Sequence, residues 1–257
     1  MKSKFLVGIL TLLCGFSSVA ADLNRAAVES LLAQAVKGKP ADLRRKDLTD
    51  LDLSGLDFTH ADLWGSDLRR SNLSKSNLSG LVLDLTVMTK INLAGANLSK
   101  TSIFGVSMMS ADLSNANLTE SRFIANLDRA NLSHADLQNA DWGVDMKNQP
   151  MGLMRVSLNN VNLSGANLTN ANLNRALLKH SNLSNSILHK TILFGADLSG
   201  SDFSNADLTG ADLTGCTLTD TNFTGSNLSG TRFSGAKNKA MLKTLKDSKN
   251  LDSAIFE

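Results

Sequence analysis

Four histidines, 24 Asp and Glu residues and two cysteines are the groups in this chain equipped for acid–base, metal or nucleophilic chemistry. His60, His134 and His180 each fall two positions after a Leu or Phe that recurs every fifth residue, and His189 falls one after. If the recurring residue points inward, all four imidazoles point outward. Most carboxylates immediately precede the recurring Leu or Phe, where Asn substitutes freely. A group interchangeable with its amide serves backbone hydrogen bonds at a corner, whereas acid–base catalysis needs the carboxylate itself. Gly-rich phosphate loops, Ser-His-Asp sets and paired Cys ligands are absent. Cys216 stands in a slot that Ala fills elsewhere, which reads as a buried packing thiol. Met108, Met109, Met146, Met151 and Met154 gather in the middle of the chain. Thioethers suit Cu(I), but Met is also the flexible filler of interrupted packing, and that reading is preferred. The residue inventory therefore points to no enzyme, no cofactor and no metal.

What has to be explained instead is the count of five. Ala166-Asn167-Leu168-Thr169-Asn170 is followed by Ala171-Asn172-Leu173, and Ala206-Asp207-Leu208-Thr209-Gly210 by Ala211-Asp212-Leu213-Thr214-Gly215. Five residues advance a helix by about 500°, so successive leucines would smear round the cylinder. In a flat strand, residues five apart face opposite sides. Only a backbone that turns a corner once per unit can bury every central residue and every small residue two before it. Leu168, Leu173, Leu208, Leu213 and Cys216 are then core positions of a coiled solenoid whose stability is a sum of neighbour terms.

The tandem A-[DN]-L-[ST]-x pattern resembles the pentapeptide-repeat family over roughly residues 41 to 235. The resemblance implies an all-β solenoid, a right-handed quadrilateral parallel β-helix with four repeats per coil. Four units per coil would put His180 and His189 on different sides. Some family members resemble a DNA duplex in shape and bind type II topoisomerases, with loops that interrupt the rod carrying the contact. That function is the alternative reading here, as is an exported effector or surface factor.

Residues 1–21 read as a secretory signal peptide: Lys2 and Lys4, an apolar run from Phe5 to Phe16, then small residues at Ser18-Val19-Ala20-Ala21. Its removal predicts a periplasmic or secreted protein of bacterial source with no integral membrane segment. The whole chain carries 26 Lys and Arg against 24 acids, and the processed chain is formally neutral, so nucleic-acid binding is not expected. Residues 22–40 predict a capping helix, with Asp22 as N-cap and Gly38 as stop. The first repeat run covers 41–142, with the register dropping by one residue after Phe123. Residues 143–152 form an interrupting loop or kink, 153–235 the second run, and 236–257 a C-terminal cap with helical spacing at Met241, Leu242 and Leu245.

At twenty-residue intervals the position after the central residue breaks the Ser/Thr habit, with Trp64, Asp84-Leu85, Phe104 and Ile124. With four units per coil these stack on one outer face, an apolar stripe that solubility does not select. Met154, Phe194, Ile187 and Ile192 echo it weakly. Trp64, Leu85, Phe104 and Ile124, with Met146, Pro150 and Met151 of the interruption, are the candidate contacts for a protein partner or a second copy, unless the chain itself covers them. The function expected is a non-enzymatic interaction scaffold.

Overall fold

The computed structural model describes residues 22–144, 154–235 and 245–256. The corner is its basic device. At most corners the amide of the small slot residue donates to the carbonyl of the central residue three before it, as Ser66 does to Leu63 and Ala96 to Leu93, both at 3.0 Å. This closes a β-turn whose third residue is left-handed. Gly, Asn, Asp and long polar residues fill that position, for example Gly95, Asn115 and Asn170. Inside the corner, the Asp or Asn before each central residue accepts from the amide two positions on, as Asp47 Oδ1 does from Thr49 at 2.9 Å. That is an Asx turn, and it explains why acid and amide interchange.

Corners repeat at a spacing that stacks every fourth one. Parallel bridges join Asp52 to Asn72, Asn72 to Asn92 and Asn92 to Asp112, twenty residues per coil. Four faces result, which we number in chain order by their bridge positions. Face 1 runs from Asp42 through Asp62 and Val82, face 2 from Asp47, face 3 from Asp52 and face 4 from Asp57. The molecule is a β-helical solenoid in which regular strand is scarce. Among the described residues, only β1 (Ala41–Asp42) with β2 (Ala61–Asp62), and β3 (Ser102–Ser107) with β4 (Arg122–Asn126), pair over consecutive residues. A five-residue side that surrenders two residues to its corner has room for little more than one bridge.

The central residues fill the axis. Leu43, Leu48, Leu53, Phe58 and their described successors to Phe233 are almost wholly enclosed. Each such side chain contributes about 1.5–3 kcal/mol of burial. Slot hydroxyls stay satisfied by donating to carbonyls of their own or the preceding coil: Ser66 Oγ to Leu63 O at 2.7 Å, Thr191 Oγ1 to Leu168 O at 2.7 Å. Along the faces, amides ladder from rung to rung. Asn72 Nδ2 donates to Asp52 Oδ1 at 3.0 Å, and Asn227 Nδ2 to Asp207 Oδ1 at 3.1 Å.

The register drop after Phe123 is absorbed on face 1. Phe104 pairs with Ile124 but Ser107 with Asn126, so Gly105 and Val106 bulge against the single residue Ala125. Gly105, at φ 71°, supplies the left-handed backbone there. The interruption is an insertion within one coil. Asn126 bridges Ser157 and Asp141 bridges Asn172, 31 residues apart instead of 20, so the coil before the insertion stacks directly on the coil after it. At the exit, a Cβ on Gly143 would meet the Asn172 side-chain amide at 2.5 Å, so a larger residue there would displace Asn172 from its bond to Asp141.

The N-terminal helix, α1, is Arg25–Ala33, shorter than the 22–38 periodicity suggests. Asn24, not Asp22, is its N-cap, accepting from Ala27 N at 2.9 Å. Asp22 instead pairs with the first coil, donating its amide to Asp47 O and accepting from Asp47 N, each at 2.8 Å. Gly38 serves the tight turn after the helix, between the bridged Val36 and Lys39, at φ 89°. Val28 is fully enclosed, and Leu31 and Leu32 pack partly buried against the core, as do Leu51 and Leu56 of the first coil. At the other end Lys249 bridges Asn227 and Ile255 bridges Arg232, so the tail extends the stack, and Phe256 lies on Phe233 with ring centroids 5.3 Å apart. Residues 1–21, expected to be a signal peptide, Met146, Pro150 and Met151 of the interruption, and Met241 and Leu242 of the expected C-terminal cap lie outside the described residues. No helix among the described residues is long and apolar enough to cross a membrane.

Candidate functional site

The four faces are unequal. Bridges run without a gap from Asp52 to Asn222 on face 3 and from Asp57 to Lys249 on face 4. On face 1 they skip the steps from Asp62 to Val82 and from Arg122 to Asp141, and on face 2 the step from Val87 to Ser107. Faces 3 and 4 are the regular frame, with only Ile187 among their exposed large apolar side chains. Face 1 carries Trp64, Val82, Leu85, Phe104, Ile192 and Phe194, all exposed, with Val87 round the corner on face 2.

Trp64 is 36% exposed, Phe104 45% and Leu85 58%. Leu85 is the more telling, because its φ is 61° and every other non-glycine at positive φ among the described residues is polar or charged. A left-handed L-residue without local hydrogen bonding costs about 1–2 kcal/mol, and here the residue gains no burial in return. Strain of this kind gathers at functional positions. Leu85→Asn is therefore expected to raise the urea midpoint, by about 1 kcal/mol of stability, while weakening whatever docks on face 1. An unchanged or lower midpoint would remove the strain argument. Next to it, Asp84 Oδ1 accepts from Phe104 N at 2.8 Å, locking the two coils together.

Ile124 does not belong to this stripe: it is 3% exposed. The missing residue lets β4 run extended through 122–126, and the chain returning from the insertion at Met154 and Arg155 closes over the same corner. Val82 and Val87, which sequence reading passed over, enlarge the patch. Their signal was present, since both replace the Asn or Asp that normally precedes the central residue. The apolar face thus spans coils 2 to 4 and reappears at Ile192 and Phe194.

At its N-terminal end, Arg45 lies over the Trp64 ring with its guanidinium carbon 4.9 Å from the centroid. Asp42, Arg44, Arg45 and Trp64 line a surface cavity of about 330 Å³. Arg44 is engaged by Asp42 at 2.9 Å and Asp62 at 3.5 Å. The hydrogen bonds from Arg44 hold the Asp42 carboxyl down at about 2, so that pair persists at neutral pH. Arg45 forms no ion pair among the described residues, and together with Arg44 it balances the two carboxylates.

The chemistry-bearing groups lie elsewhere and apart. His60, His134 and His180 are exposed, and His189 Nε2 sits 2.8 Å from Asp207 Oδ2. Burial pushes the Asp207 carboxyl up, but hydrogen bonds from His189 and Thr209 outweigh it and leave the group below its ordinary value. No cluster of three potential metal ligands occurs among the described residues. Leu168, Leu173, Leu208 and Leu213 are enclosed at the axis, and Cys216 is buried with Sγ donating to Leu193 O at 3.0 Å. Burial pushes the Cys216 thiol up to about 12. At pH 8 about one molecule in ten thousand would hold the thiolate. In a chain carrying Cys14→Ser, Cys216 is therefore expected to stay unmodified by a disulfide-exchange reagent in the folded protein and to react with one equivalent in urea; rapid labelling of that native protein would contradict this placement.

A family model described as pentapeptide repeats matches eight copies, within residues 41–65, 52–89, 87–124, 125–143, 162–200 and 201–237. Among solved structures, the chain is similar to HetL, a pentapeptide repeat protein involved in heterocyst differentiation regulation in the cyanobacterium Nostoc. Identity there is 29%, over 91% of this chain and 97% of that one, at a TM-score of 0.40. Full-length QnrB1, a plasmid-mediated fluoroquinolone resistance protein, is 17% identical over 82% of this chain and 93% of its own, at 0.45. A pentapeptide repeat protein of the Arabidopsis thaliana thylakoid lumen is 20% identical over 52% and 73%, at 0.32. Among curated proteins no sequence relative is found.

Proposed function

Because this chain belongs to the pentapeptide-repeat family, we propose that it works as a non-catalytic interaction rod, with face 1 as the docking surface for a protein partner. The observation that carries the proposal is the coincidence, on one face, of exposed Trp64, Val82 and Phe104 with the strained and exposed Leu85. Trp and Arg dominate the energetic centres of protein interfaces, and Arg45 over Trp64 supplies both in contact. We place the protein in the periplasm or outside the cell, on the strength of the charged, apolar and small-residue succession in residues 1–21.

Trp64→Asp combined with Phe104→Asp tests the surface. Both side chains are exposed, so the circular dichroism spectrum is expected to persist. Affinity for a crosslinked and identified partner should fall by more than about thirtyfold, as loss of a central interface residue does. If the partner is a second copy, sedimentation shows the loss directly. Unchanged self-association and unchanged crosslinks would eliminate face 1 as the site. Location is tested separately, by osmotic-shock fractionation of cells expressing a C-terminally tagged chain. An unprocessed protein that stays with the cytosol would overturn the export proposal and reopen a cytoplasmic role such as topoisomerase binding.

A further inference from the structure

The apolar residues at the corner between faces 1 and 2 lie on three successive coils. Trp64 is on the second, Val82, Leu85 and Val87 are on the third, and Phe104 is on the fourth, all exposed. Trp64 and Phe104 hold the same position of the unit, twenty residues to either side of Asp84. One aromatic therefore flanks the aliphatic coil on each side, and the patch reads nearly the same from either end of the rod. The charges beside it do not. Down face 1 the bridge positions run Asp42, Asp62, Val82, Ser102 and Arg122, acid at one end and base at the other with Val82 at the centre. Down face 2 they run Asp47, Asp67, Val87, Ser107 and Asn126, acidic at the same end and uncharged at the other.

A two-fold interface needs one surface that complements itself. A second copy laid antiparallel on this corner, with the two-fold axis through the third coil, brings Trp64 to the partner's Phe104 and sets Val82, Leu85 and Val87 each against its own counterpart. The same operation puts Asp42 opposite the partner's Arg122 and Asp67 opposite the partner's Ser107. Asp42 and Arg122 already pair within the chain, with Arg44 at 2.9 Å and Asp141 at 3.0 Å, so the contact joins two neutral pairs into one network. A parallel copy would instead set Asp42 against the partner's Asp47 and Asp62 against the partner's Asp67, and facing like charges across an interface is costly. Resting on the reading of face 1 as a docking surface, we infer that its occupant is a second copy of this chain, packed antiparallel and centred on Val82 and Leu85. The apolar patch spans only about 10 Å of rod, too short to supply the roughly 800 Å² per partner of a standard interface. The dimer is accordingly weak, dissociating in the micromolar range.

The test joins sedimentation equilibrium of the full chain, from micromolar to millimolar, with disulfide trapping in a chain carrying Cys14→Ser and Cys216→Ser. A monomer–dimer equilibrium is expected, and Trp64→Asp with Phe104→Asp should weaken it by more than about thirtyfold. Under mild oxidation Val82→Cys should link to itself, since the exposed Val82 faces its counterpart across the axis. Asp62→Cys and Ser102→Cys should link to each other when mixed, and neither should link alone. Val82→Cys that links only to Val87→Cys would mean a parallel pair and overturn the orientation. A chain monomeric at every concentration, while a different protein crosslinks to face 1 and is lost with the double aspartate variant, would overturn the second copy and leave the docking surface standing. A dimer indifferent to the double aspartate variant would overturn the inference by placing the contact elsewhere.

Discussion

Trp142→Ala is expected to destabilise the protein by about 3–5 kcal/mol, the cost of deleting a large enclosed aromatic and leaving its space unfilled. Trp142 is fully buried, stacks on Phe123 with centroids 4.8 Å apart and ring planes 5° from parallel, and donates from Nε1 to Ser121 Oγ at 3.0 Å. It is also the last central residue before the insertion, so the coil that must bridge to Asn172 closes around it. A solenoid is held by neighbour contacts, and a fault in one coil need not unfold its neighbours at once. The urea transition is therefore expected to broaden or split as well as shift. Trp142→Phe is the control: it keeps a stacking ring and loses the indole donor, leaving Ser121 Oγ its bond to Leu118 O, and should cost only about 1 kcal/mol. A shift below 1 kcal/mol for Trp142→Ala would mean that the coil at the insertion is not held from its axis.

Removing residues 22–38 is expected to turn a dispersed protein into an aggregating one. An open solenoid end presents unpaired backbone and an apolar cross-section, and repeat proteins need terminal caps to stay soluble. Here α1 supplies the cover. Val28 is fully enclosed against the core, and Arg25 donates to the carbonyls of Asp52 and Ser54 at 3.0 and 3.1 Å. Leu51 and Leu56 occupy slots that Ser71 and Ser76 fill one coil later, and lie half-buried against the core in the first coil, whose carbonyls at Asp52 and Ser54 the helix contacts. Light scattering after size exclusion should show the truncated chain as high-mass species. Adding Leu51→Ser and Leu56→Ser should restore part of the monodispersity. A truncated protein that stays monodisperse would show that the helix is dispensable as a cover.

The two results would probe different parts of what the residue string encodes. The five-residue period, the inward row from Leu43 to Phe233 and the corner role of Asn and Asp are legible without coordinates. Each follows from local sterics, a β-turn that wants a left-handed third residue and an Asx side chain that reaches the amide two positions on. The slot occupied by Cys216 is legible for the same reason. Trp64, Leu85 and Phe104 could be marked because they violate a local rule, and Val82 and Val87 violate a neighbouring rule that was open to the same reading.

Ile124 shows where such reading stops. Its period places it with Phe104, yet one residue missing from its coil and the chain returning at Met154 bury it. Whether a position one coil further along is open depends on what the intervening chain does, and that is a property of packing between coils. The α1 boundaries moved for a related reason, since Asp22 found a better partner in Asp47 than in the helix it precedes. The sequence by itself settled that this chain must wind into a tube with leucine inside, because no straight element can hide a residue in every five. Only the tertiary structure decided which face of the tube stays open and where a cavity forms, because both depend on how one coil's irregularity meets the next.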